Sequence, residues 1–107
     1  MTTVLNKNMF TKNLAVIGDI LLVPIMAAEF LGLQITGAWT GTLSIEVSTD
    51  GVNFGALGMH NAPDGVITTS YIANGQAYSN DIGGFQAFRV RASAAMTGAA
   101  VVTVLAS

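Results

Sequence analysis

Residue types able to do acid, base or metal chemistry are few in this 107-residue chain, which has one histidine, six acidic residues and no cysteine. His60 and Asp64 lie four positions apart in a segment with a proline and an Asp-Gly pair, which predicts an exposed loop. A metal site needs three or more ligands at fixed geometry. The pair therefore predicts a solvated histidine, and we expect no metal and no cofactor.

Catalysis has no better candidates. A nucleophilic serine or threonine needs a base and an orienting group beside it, and the sequence has no G-x-S-x-G elbow. Asp50 and Asp64 each precede a glycine and are explained by turns, while Glu46 falls on the solvent side of a predicted strand. We therefore expect no enzymatic activity.

Aromatic and amide side chains raise the alternative of a lectin-like module. Trp39, Tyr71 and Tyr78 would form a carbohydrate site only if the three rings met on one exposed face. The amides that would complete such a site are Asn74, Gln76 and Asn80. The favoured interpretation of Trp39 is a ring that closes one end of the core, with its indole N–H bonded nearby.

The elements that position these residues are predicted to be strands. Apolar and polar residues alternate along 31–36 and most regularly along 42–48, and Asp50-Gly51 predicts a hairpin turn. Further strands are expected at 15–17, 20–25, 52–57, 66–72, 85–92 and 99–105. No window has helical periodicity. The pattern predicts an all-β fold, an antiparallel β-sandwich or jelly roll of about seven to nine short strands, with residues 14–107 as a single domain.

The apolar run 14–33 has the length of a membrane span, about 20 residues. Asp19 and Glu29 would each cost about 2.5 to 3.5 kcal/mol near the bilayer centre. Gly18 and Pro24 would interrupt the helix. We expect short strands here, and neither a membrane helix nor a cleaved signal peptide.

Charge is scarce, because 9% of residues are charged where about 25% is usual. Four basic residues against six acidic ones leave no basic stripe, so nucleic acid is not an expected partner. Arg89 and Arg91 share one strand face and are expected to pair with Glu46, across strands or between subunits.

The segment 20–23 is apolar on both faces, so the face that does not meet the core must be covered by a loop or by a neighbouring subunit, and the low charge of the chain favours the subunit. This predicts a homo-oligomer. The predicted interface residues are Ile20, Leu21, Leu22, Val23 and Ile25.

Residues 1–13 have two alternatives. They form either an arm that orders on docking to a neighbour, or a first strand that completes one sheet. The apolar anchors of the arm would be Val4, Leu5 and Phe10.

Three stretches of the chain together resemble the small β-sandwich proteins and domains of tailed-bacteriophage virions. They are LQITGAWTGTLSIEVSTDGVNF, YIANGQAYSNDIGGFQAFRVRASA and TGAAVVTVLAS. The resemblance covers about residues 31 to 107 and rests on a G-x-W-x-G-T-L strand leading to an S-x-D-G turn, and on a later G-F-x-x-x-R-V-R strand. It implies a noncatalytic virion structural protein. Capsid decoration (cement) is preferred to a fibre, collar or baseplate role, because one such domain lacks the separate shaft and tip of a complete fibre. A trimer bound to other virion proteins, such as the major capsid protein, is the implied assembly.

Overall fold

Period-two alternation of apolar residues produces strands throughout the part of the chain that the structure describes. The computed structural model describes residues 8–25, 28–80 and 82–107. Thirteen strands lie in these ranges: β1 (Met9–Leu14), β2 (Ile20–Pro24), β3 (Leu31–Thr36), β4 (Trp39–Thr40), β5 (Leu43–Ser48), β6 (Gly55–Ala56), β7 (Met59–Asn61), β8 (Ile67–Thr68), β9 (Ser70–Tyr71), β10 (Gly75–Ser79), β11 (Ala87–Ala92), β12 (Thr97–Gly98) and β13 (Ala100–Ala106).

The strands form two large antiparallel sheets. The six-stranded sheet has the order β1-β13-β3-β10-β7-β8. The five-stranded sheet has the order β2-β11-β5-β6, and β9 also pairs with β5. The short pair β4–β12 stands apart from both. Apolar residues from the two sheets share one buried cluster, so the predicted all-β sandwich is confirmed.

The strands with regular alternation bury the residues that the sequence assigned to the core. In β5, Leu43, Ile45 and Val47 are buried, and the intervening Ser44 and Glu46 are partly exposed. The same alternation holds in β3 and β11. Their residues in the core cluster are Leu31, Leu33, Ile35, Phe88, Val90 and Ala92. The strand count exceeds the prediction because five strands are only two residues long.

The predicted strand at 15–17 is wrong. This segment is a turn between β1 and β2. The carboxylate of Asp19 accepts hydrogen bonds from the backbone N–H groups of Ala15 (2.8 Å) and Val16 (3.1 Å), and these bonds lower the Asp19 pKa. Such a local bond offers the backbone an alternative to strand pairing. Gly18, with φ of 93°, completes the turn.

The predicted strand at 66–72 is replaced by two short strands in different sheets. β8 pairs with β7 in the six-stranded sheet, whereas β9 pairs with β5 in the five-stranded sheet. The chain thus crosses from one layer to the other at Thr69. Strand β10 was not predicted, because Ala77 is its one buried apolar residue and its first residue belongs to a turn signal.

Within the described ranges, no helix is long and apolar enough to cross a membrane. The described part of the run 14–33 contains the end of β1, the turn, β2 and the start of β3. The predicted anchors Val4 and Leu5 lie outside the described residues. Residues 9–14 pair with β13 at one edge of the six-stranded sheet, and Phe10 packs against the core.

Candidate functional surfaces

The outward faces of the two sheets differ in their chemistry. We call the outward face of the five-stranded sheet the ion-pair face, and that of the six-stranded sheet the neutral face. Cross-strand partners in an antiparallel sheet lie on the same side, so the registers define which side chains belong to each face. The ion-pair face consists of Ile20, Leu22, Pro24, Ser44, Glu46, Ser48, Ala56, Ser70, Ala87, Arg89 and Arg91.

Glu46 is the centre of the ion-pair face. Arg89 Nε donates a hydrogen bond to Glu46 Oε1 at 2.6 Å, and Arg91 Nη2 donates one to Oε2 at 3.0 Å. The hydrogen bond from Arg91 lowers the pKa of Glu46, and Glu46 in turn raises the pKa of Arg91. The Arg89 guanidinium also lies 4.0 Å from the ring centroid of Phe54. The predicted pairing is therefore a cross-strand cluster within one chain.

Three of the five predicted interface residues do not lie on this surface. Leu21, Val23 and Ile25 are buried in the core of their own chain, which corrects their assignment to a subunit contact. The register is the reason, because β2 places Leu21 beside Val90 and Val23 beside Phe88, both of which are buried. Two predicted residues do lie on the ion-pair face.

Those two residues are Ile20, which is partly exposed, and Leu22, which is 57% exposed. Leu22 and Pro24 line a groove of about 370 Å³ with Gln86 and Ala87. Val16 and Ile17, in the turn before β2, are also exposed. We call Val16, Ile17, Ile20, Leu22 and Pro24 the apolar strip.

The neutral face has no Asp, Glu, Lys or Arg at the outward positions of its described strands. One polar row crosses four neighbouring strands and consists of Thr11, Thr103, Gln34 and Gln76. A second row crosses all six strands and consists of Met9, Leu105, Gly32, Tyr78, His60 and Ile67. Lys12, although it belongs to β1, is turned to the other side, and its Nζ donates to the Ile20 carbonyl at 2.9 Å.

His60 occupies a strand and not the predicted loop. It pairs with Tyr78 across β7 and β10, and the two rings are stacked with centroids 5.1 Å apart and planes at 18°. The chain leaves β7 only after Asn61, so the exposed loop begins two residues later than expected. Tyr78 is 46% exposed on the neutral face.

The three aromatic rings that a lectin-like site would require do not share one exposed face. Trp39 packs partly buried against the core, and its Nε1 donates a 2.7 Å hydrogen bond to Asn74 Oδ1, which is the favoured interpretation of this residue. Tyr71 also packs against the core, and its hydroxyl donates to Asn61 Oδ1 at 2.7 Å. Tyr78 alone of the three is on the neutral face.

Carboxylates do not gather into a metal site in the part of the chain that the structure describes, where no group of three potential ligands is found. Asp50 is engaged within its own turn. Its Oδ1 accepts from the backbone N–H groups of Asn53 and Val52 and from the Ser48 hydroxyl, and these bonds lower its pKa strongly. The turn interpretation of Asp50 is consistent with these contacts.

Comparison with known proteins identifies solved structures with a similar fold. No protein-family model and no curated protein matches the sequence. The SPBc2 prophage-derived protein YomS is similar in structure, with a TM-score of 0.75 and 15% identity over 92% of this chain and 95% of YomS. The PBSX exported protein XepA has a TM-score of 0.74 and 13% identity over 92% of this chain, which spans only 38% of XepA. The chain therefore has the fold of two phage-derived proteins.

Proposed function

We propose that this chain is a noncatalytic structural subunit of a bacteriophage particle and that it works as a homo-oligomer. The observation that carries the proposal is the fold, shared over 92% of the chain with two phage-derived proteins. The virion resemblance of the sequence motifs supports it independently. Capsid decoration, through contact with the major capsid protein, is the preferred role, and a fibre, collar or baseplate component is the alternative.

The apolar strip is the surface that favours self-association. Leu22 is 57% exposed on β2, an edge strand of its sheet, and Val16 and Ile17, in the turn that precedes this strand, are 59% and 62% exposed. Exposed apolar patches of this kind mark interaction sites more often than free surface. The ion pairs of Glu46 lie in the adjoining strands and would form the polar rim of such a contact.

Two leucine substitutions on opposite faces test this surface. We expect the wild-type chain to sediment as an oligomer, with a trimer as the preferred state, and Leu22→Asp to sediment as a folded monomer. Leu105→Asp is the matched control, because Leu105 is 42% exposed on the neutral face. A stable, folded wild-type monomer at micromolar concentration would remove the support for self-association.

Electron microscopy of phage particles tests the location. A gold-labelled antibody against this chain is expected to mark the capsid surface at many sites. Label confined to the tail or baseplate would select the alternative role. Purified particles without any label would contradict the virion proposal itself.

A further inference from the structure

We propose that the neutral face binds an uncharged polysaccharide, with Tyr78 as its stacking platform. This inference does not depend on the proposed virion role, because it concerns the sheet opposite the apolar strip. It uses one of the aromatic residues that the sequence singled out, in a setting that the sequence did not predict.

The charge of the face selects the class of ligand. Its outward positions in the described strands carry no formal charge, whereas the ion cluster of Glu46, Arg89 and Arg91 belongs to the opposite sheet. An anionic polymer needs lysine or arginine side chains that displace its counterions, and the neutral face has neither residue at its outward positions in the described strands. An uncharged polymer does not need such basic side chains for binding.

The polar row supplies hydrogen-bonding groups for hydroxyls. Gln34 and Gln76 are cross-strand partners and both are exposed. Each amide offers two donors and an acceptor. The Thr11 hydroxyl donates to the Thr103 hydroxyl at 3.3 Å, which leaves the Thr103 O–H to donate and the Thr11 oxygen to accept. Neighbouring strands are about 4.8 Å apart, so the row of four extends roughly 14 Å across the sheet. That length suits several consecutive sugar units of an extended chain.

Tyr78 provides an ordered aromatic surface beside this row. His60 stacks against the ring at 5.1 Å between centroids and holds its orientation. On the other side of Tyr78 the cross-strand partner is Gly32, which has no side chain. The next residue across is Leu105. Because Gly32 has no side chain, the apolar side of a sugar ring can pack against the tyrosine over the Gly32 backbone, between Tyr78 and Leu105.

A second copy of the chain fits this face less well. Burial of the Gln34 and Gln76 amides against protein costs free energy unless every donor and acceptor finds a partner. The apolar strip offers a copy a better contact, since its exposed side chains need no hydrogen bonds. A copy on the neutral face is nevertheless an outcome that the experiment distinguishes.

Native electrophoresis in gels that contain polysaccharide tests the inference. The neutral probes are hydroxyethylcellulose, xyloglucan, galactomannan, starch and dextran, and the anionic controls are alginate and polygalacturonate. We expect at least one neutral polymer, and neither anionic one, to retard the full chain. Tyr78→Ala should weaken the apparent affinity by about tenfold, and Gln76→Ala should weaken it to a smaller extent.

Val52→Ala is the matched control, because Val52 is 77% exposed in the loop that follows β5, away from the neutral face. It should bind as the wild type does. Both Gln76 and Tyr78 are exposed, and circular dichroism and sedimentation of each variant establish that folding and assembly are unchanged. Absence of retardation in all five neutral gels overturns the proposal, as does wild-type affinity in Tyr78→Ala. A Tyr78→Ala protein that dissociates into monomers identifies the face as a subunit contact and also overturns it.

Discussion

Glu46 links stability to pH, because its side chain is 13% exposed and its carboxylate accepts hydrogen bonds from two arginines. Since its pKa in the folded protein is below the ordinary value of 4.5, its contribution is present above the unfolded-state pKa and is lost as pH falls through the lowered value. We expect Glu46→Gln to reduce the free energy of unfolding by about 1 kcal/mol at neutral pH.

Urea unfolding as a function of pH measures this effect. The difference between wild type and Glu46→Gln should shrink as the pH falls below about 4. Glu29→Gln, at an exposed position between β2 and β3, is the control and should have little effect. A difference that stays constant down to pH 2 would show that charge pairing with the arginines is not its cause.

Ile45 and Ser44 are neighbours on β5 with opposite surroundings. The Ile45 side chain is fully buried, while Ser44 is partly exposed opposite Arg91, with its hydroxyl 2.7 Å from that of Ser93. Ile45→Asp places an unpaired carboxylate in the core, and a loss of more than about 4 kcal/mol should abolish folding. Ser44→Asp should cost about 1 kcal/mol or less. Equal melting temperatures for the two variants would contradict the alternation of β5.

At the scale of elements, the β4–β12 pair depends on one glycine. Gly98 has φ of 70°, and a Cβ there would overlap the carbonyl oxygen of Ala38. Gly65 has a similar φ of 73° but open space around it. Gly65→Ala should therefore cost about 1 kcal/mol from backbone strain alone. Gly98→Ala should cost about 3 kcal/mol or more, because backbone must also move.

Thermal unfolding of the two glycine variants compares backbone strain alone, at Gly65, with backbone strain plus steric overlap with the Ala38 carbonyl, at Gly98. The melting temperature should be highest for the wild type, lower for Gly65→Ala and lowest for Gly98→Ala. The reverse order for the two variants would mean that β4 and β12 separate without cost.

The N-terminal segment can be divided at the start of β1. Residues 9–14 pair with β13 along six positions, so they contribute to the sheet of their own chain. Deletion of residues 1–7 removes Val4 and Leu5 and leaves this pairing intact. If those two residues are anchors of an arm, the deletion should weaken incorporation into the particle more than it lowers the melting temperature. Unfolding of the purified domain on this deletion would exclude the arm hypothesis.

At the scale of the whole molecule, the scarcity of charge makes a prediction about assembly. Contacts through an apolar strip depend little on screening, whereas contacts through exposed ion pairs weaken as the Debye length shortens. We expect the sedimentation coefficient of the oligomer to be unchanged between about 0.05 M and about 0.5 M NaCl. Dissociation at the higher NaCl concentration would indicate that the arginine cluster, and not the apolar strip, forms the subunit contact.

Strands with a regular period could be predicted because each residue's side is set by its neighbours in sequence. This applies to β3, β5, β11 and β13, whose core residues recur at every second position. The fold class and the scarcity of charge are likewise properties of the chain that need no coordinates. The packing of Trp39 could also be predicted from the sequence, because a large ring between glycines favours the end of a small core.

Short strands and surfaces were decided by the tertiary structure. A two-residue strand such as β8 or β9 has no period of its own, and which sheet it joins depends on the strand that lies beside it. The interface prediction for Leu21, Val23 and Ile25 failed for the same reason, because an apolar run on both faces does not reveal which face meets the other sheet. Only the cross-strand register aligned Gln34 with Gln76 and placed His60 against Tyr78. Sequence alone therefore determined that this protein is a sandwich of alternating strands with little charge, whereas packing between distant residues decided what its two outer faces present.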